Sequence, residues 1–123
     1  MIYEIADALV SLKPNKQWVM RSSEYSGLEW LDSGAAPTEG EINTELTRLN
    51  NAEPMRLLRI ERDKRLADCD WVCAKATDTG VAVSDAWKTY RQALRDLPAS
   101  ASPKLDSEYE LDLTSVTWPT EPS

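Results

Sequence analysis

The sequence predicts a helix-dominant α+β fold. Three observations predict it. Pro54 to Pro98 holds two arginine-rich segments of helical periodicity on either side of a loop with Gly80. Two short tryptophan-bearing runs near the N-terminus alternate as a hairpin would. A Pro/Ala/Ser linker then leads to one more strand-like run before the end.

In residues 2–12 (IYEIADALVSL), Ile2, Ile5, Ala6, Leu9 and Val10 fall on one helical face, and Lys13-Pro14-Asn15 ends that helix. Residues 17–21 and 28–32 read as two strands, with turn chemistry from Ser22 to Gly27 between them. Trp18 and Met20 are expected on one face, Leu28 and Trp30 on another. A lone hairpin is marginal in water, so this one leans on the first helix or on a partner.

Ser33 to Pro37 is a connector. Thr38 and Glu41 then have the spacing of a capping box, and Ile42, Leu46 and Leu49 follow at helical steps. Asn50-Asn51 and Pro54 leave two readings open: a break near 51–53, or one kinked helix from 38 to about 70. Met55, Leu58, Arg62, Leu66 and Cys69 form an apolar stripe crossed by an arginine. A loop containing Gly80 follows. Trp87, Tyr90, Ala93, Leu94 and Leu97 form the second stripe, and Pro98 is expected to stop that helix. Beyond the linker at 98–103, residues 106–112 are acidic. The end of the chain is expected either to dock back on the helices through Val116 and Trp118 or to be mobile, and the tryptophan favours docking because an idle exposed one harms solubility. The domain reading is an N-terminal helix and hairpin at 1–35, a helical core at 36–98 and a linker with a docking tail at 99–123.

The net charge of −7 argues against nucleic acid and anionic membranes, both of which need basic patches. There is no apolar run of membrane-spanning length and no signal-peptide pattern, so a cytoplasmic protein is expected. Five Trp and four Tyr with no Phe give amphipathic anchors suited to half-buried sites and binding faces.

Nothing in the pattern makes a catalytic constellation. With no histidine, Ser-His and Cys-His schemes fall away. Cys69 and Cys73 alone do not make a zinc site and are expected to be reduced and structural. Acid pairs such as Asp68/Asp70 suit a solvated surface better than an acid–base couple. No cofactor, metal or enzymatic activity is expected. Arg56, Arg59, Arg62 and Arg65 recur every three residues, with Arg91 and Arg95 on the second segment. They suit an inter-helix lattice, Arg62 with Asp96 or Asp63 with Arg91 or Arg95, or else a basic stripe that grips an acidic partner. The candidate partner-binding residues are Trp18, Trp30, Arg59, Arg62, Trp71, Trp87, Tyr90, Arg91, Arg95 and Trp118.

These blocks carry a resemblance. Arg59-x-x-Arg62-Asp63-x-x-Leu66-x-x-x-Asp70-Trp71 comes first, then Trp87-x-x-Tyr90-Arg91-Gln92-Ala93-Leu94-Arg95-Asp96-Leu97-Pro98, then Val116-x-Trp118-Pro119. Together they resemble the tail assembly chaperones of tailed bacteriophages over residues 54–119. Leu12 to Asn15, Trp18 to Arg21 and Leu28 to Asp32 resemble, less closely, the N-terminal modules of tail-fibre accessory proteins. One departure is that Val72 to Val83 has no proline, where relatives carry a proline-bearing loop. The resemblance implies a non-enzymatic protein of the host cytoplasm that helps a trimeric tail-fibre polypeptide fold, trimerise or attach. The alternative it implies is a virion component held permanently on the fibre or baseplate, touching the host surface. Two further readings compete on the residues alone: an enzyme using Cys69 or a carboxylate pair, and a small regulator acting through the acidic stretch at 106–112.

Overall fold

The protein is described here by a computed structural model covering residues 2–123. It falls into two compact units, one ending at Glu53 and one running from Pro54 to Ser123. The elements in order are α1 (Ile5–Leu12), β1 (Trp18–Met20), β2 (Leu28–Trp30), α2 (Glu39–Asp68), α3 (Trp71–Thr79) and α4 (Asp85–Ser100). The helix-dominant α+β class stands.

In the first unit, Ala8, Leu9 and Ile42 are fully buried, with Ile5, Leu12 and Leu46 packed around them. The buried face of α1 is therefore Ile5, Ala8, Leu9 and Leu12. Ala6 and Val10, expected inside, face out, Val10 at 60% exposure. The 3.6-residue period permits both stripes, and only the packing of α1 on α2 and the hairpin chooses between them. In the hairpin Trp18 opposes Trp30, Val19 opposes Glu29 and Met20 opposes Leu28. Directly opposed residues share a face, so Trp18, Met20, Leu28 and Trp30 all lie on one side and all pack on this core. The expected division into two faces is corrected. The turn is tight at Gly27, where a Cβ would lie 2.6 Å from the Ser22 backbone nitrogen.

The capping box at the start of α2 forms as expected: the Glu41 N–H donates to Thr38 Oγ1 at 3.1 Å and the Thr38 N–H to Glu41 Oε1 at 3.4 Å. The helix then continues through Asn50, Asn51 and Pro54 to Asp68, so the one-helix reading holds. Pro54 removes the donor that would reach the Asn50 carbonyl. Nearby, the Asn50 amide donates to the Leu46 carbonyl at 2.9 Å and its Oδ1 accepts from the Tyr3 N–H at 3.2 Å. These side-chain bonds support the low-propensity stretch.

Two further corrections lie in the second unit. Residues 71–79, taken as loop, form α3, reached from α2 by a two-residue turn at Cys69-Asp70 with i→i+3 bonds to Leu66 and Ala67. Helix α3 ends at Gly80, whose φ of 72° and N–H bond to the Ala76 carbonyl make a left-handed cap. Pro98 does not stop α4, which runs to Ser100. A proline in the last turn removes one bond at a place where the helix is ending. The final segment forms an isolated bridge between Leu105 and Leu111 and a 3-10 turn at Leu113–Ser115, then runs extended with Val116 buried. No helix is long and apolar enough to cross a membrane among the described residues.

Candidate partner-binding face of the helical unit

Helices α2 and α4 pack antiparallel. Leu58 meets Leu97 at one end of the seam, and Cys69 meets Tyr90 and Leu94 at the other. One side-chain arrangement crosses that seam and a second joins α3 to α4.

The first is made by Arg91. Its Nη1 donates to the Leu66 carbonyl and to Cys69 Sγ, both at 3.0 Å, and its Nη2 to Asp70 Oδ1 at 3.0 Å. The Leu66 carbonyl belongs to the last turn of α2, where carbonyls lack helical partners. Arg91 thus caps α2 from α4, using the planar fork that lysine lacks. Burial works against its charge, and the bonds to Cys69 and Asp70 outweigh it, so its pKa stands above the ordinary arginine value.

The second is aromatic. Trp71 and Trp87 meet edge to face at 5.6 Å, and Trp87 and Tyr90 do the same at 5.8 Å. Burial first, then the charge of Glu121, push the Tyr90 phenol above its usual pKa. Trp71 is 52% exposed and Val81 is 68% exposed. With Val83 and Trp87 they line a cleft between α3, the residues after Gly80 and the start of α4. Ser84 caps α4 by accepting from the Trp87 N–H at 3.4 Å, which sets the entry of that tryptophan.

The other candidates divide. Arg62 is mostly covered, pairs with Asp63 at 2.6 Å and donates to the Arg95 carbonyl at 3.3 Å. The lattice expected from spacing is corrected: Asp96 accepts from Gln92, Arg95 donates to Gln92, and Arg91 pairs with Asp70 in the turn after α2. Reach and rotamer decide such pairs, and sequence spacing does not encode either. Arg59 and Arg95 are exposed. Trp118 is half-buried, with the Arg65 guanidinium 4.1 Å from its ring centroid and its Nε1 donating to the Leu113 carbonyl at 3.1 Å. Trp18 and Trp30 belong to the first unit. Both pack on its core, and Trp30 Nε1 is buried with no hydrogen-bond partner among the described residues.

The three sequence blocks therefore meet in one place. The Asp70-Trp71 pair, the Trp87 to Leu97 run and the Val116-x-Trp118-Pro119 close all join around α2 and α4. The family model described as phage tail assembly chaperone protein matches residues 55–123.

The chain belongs to the phage tail assembly chaperone family. No curated protein and no solved structure matches it. The family segment begins one residue after the boundary of the second unit, so the family signature and the compact helical unit coincide. Most of its motif residues hold that unit together: Arg62, Leu66, Asp70, Tyr90, Arg91, Leu94 and Leu97 are all committed to internal contacts. Trp71 is the motif aromatic left most open, and Val81, which spacing did not single out, lies beside it. Helix α3 carries the signal that finds both, a breaker-free run ending at Gly80.

Among the described residues no group of three or more His, Cys, Asp and Glu could hold a metal. Both cysteines are free, Cys69 buried and Cys73 exposed.

Proposed function

We propose that this member of the family is a non-enzymatic chaperone for a trimeric tail-fibre polypeptide, acting in the host cytoplasm during phage assembly. The observation that carries the reading is the family match over the helical unit together with the apolar cleft of Trp71, Val81 and Trp87 on that unit. A fibre chain must be protected while its apolar surface and strand edges are still unpaired. A rigid aromatic cleft gives large contact area at small entropic cost. The exposed Arg59 and Arg95, elsewhere on the same unit, offer charged contacts that tune rate more than affinity.

The test is co-expression with the fibre gene of the same phage, followed by co-purification. The complex is expected to form, and Trp71→Ala is expected to weaken it at least tenfold while leaving the circular dichroism spectrum unchanged. Failure of the wild-type chain to retain the fibre polypeptide would remove the reading. Mass spectrometry of purified virions then separates a departing chaperone, absent from the particle, from a component that stays on the fibre or baseplate.

A further inference from the structure

The last residues of the chain sit on α2 and α4 in an unusual way. Val116 is sealed between Leu58 and Leu97. Trp118 lies under the Arg65 guanidinium and packs on the buried cluster of Cys69, Tyr90 and Leu94. Residues Pro119 to Ser123 then follow the surface of α4, bordering an open furrow with Tyr90 and Ala93. The backbone here is extended, with no ladder of the kind that seats a strand. Two large side chains and a proline give the attachment.

The charges match the same division. From Pro54 to Pro98 basic side chains outnumber acidic ones, whereas the segment after Pro98 is strongly acidic with a single lysine, Lys104. An acidic segment beside a stretch with a small basic excess is drawn to it by long-range attraction, which steers docking and weakens with salt.

We propose that the α2–α4 groove is a receptor for an extended acidic segment of the form hydrophobic-x-Trp-Pro, that Val116-Thr117-Trp118-Pro119 is its resident ligand, and that a client segment of the same chemistry takes its place. The client part of the proposal rests on the function proposed above; the receptor part does not. Resident and client segments compete for one groove, so the chain's own segment keeps the apolar seam covered until a client arrives.

The experiment starts from the folded full chain with a specific protease site introduced at the exposed Ser102. After cleavage, a fluorescent synthetic peptide of residues 104–123 is added and its anisotropy followed. The labelled peptide is expected to exchange into the nicked protein, at least tenfold more weakly when it carries Trp118→Ala and more weakly as salt rises. Loss of the helical signal on cleavage, or no exchange in a protein that keeps it, would overturn the receptor reading and make the segment a permanent layer of the core. The second measurement uses uncut Trp118→Ala and the fibre polypeptide. A weakened resident segment is expected to raise fibre retention severalfold, and an excess of the 104–123 peptide to lower it. Unchanged or reduced retention by Trp118→Ala would overturn the competition. If the fibre polypeptide is not retained at all, the proposed function fails while the peptide exchange still reports on the groove.

Discussion

Arg91 shows how one side chain can join two helices and still look like a surface charge in the sequence. Its three acceptors come from the last turn of α2 and the turn after it. Arg91→Lys keeps the charge and loses the fork, so it is expected to lower stability by about 1.5–3 kcal/mol in urea denaturation. Arg95→Ala, which loses only bonds to exposed Gln92, should stay within about 0.5 kcal/mol. The sequence showed two arginines four residues apart on one helix and offered no means of ranking them. Leu94 was legible, being on the apolar stripe and fully buried. Leu94→Ala is expected to cost about 2–5 kcal/mol by the same measurement.

Elements were legible where local chemistry names their ends. The Thr38–Glu41 box started α2 correctly, and Ser22 to Gly27 turned the hairpin where expected. The failures came where local chemistry is weak against context. Pro54 is costly inside an isolated helix, by about 3 kcal/mol, yet α2 passes through it. Just before it Tyr3 bonds to both Asn50 and Glu53, its N–H donating to Asn50 Oδ1 and its hydroxyl to Glu53. Helix α3 was hidden because its nine residues bury only Val72, leaving a faint stripe. Its end is unambiguous in the structure: Gly80 sits at positive φ with no atom within 4 Å of where a Cβ would be. Gly80→Ala therefore meets backbone strain without a clash, and a loss of about 1–2 kcal/mol is expected on thermal or urea denaturation.

Across the whole molecule, acid should weaken the fold through two partly exposed carboxylates. The Gln17 and Ser33 N–H groups, with Lys16 nearby, hold Asp32 below the ordinary aspartate range. The hydroxyl and N–H of Thr114, with Lys104 nearby, do the same for Asp112. A carboxyl with a lower folded than unfolded pKa stabilises fully above the unfolded value of about 3.9, and that contribution fades as pH falls through the folded value. The urea midpoint is thus expected to fall between pH 5 and pH 3, and to fall less in Asp32→Asn combined with Asp112→Asn. By itself the sequence determined the helix-dominant class, the hairpin, the main helical stripes and the family, because periodicity, caps and motif spacing are local and additive along a chain. Only the tertiary structure decided which face of α1 is buried, which aspartate Arg91 meets, that α3 exists, and which clusters of the α2–α4 seam Val116 and Trp118 join. Those outcomes depend on which surfaces are brought together, and several alternatives of equal local quality are separated only by the packing of side chains distant in sequence.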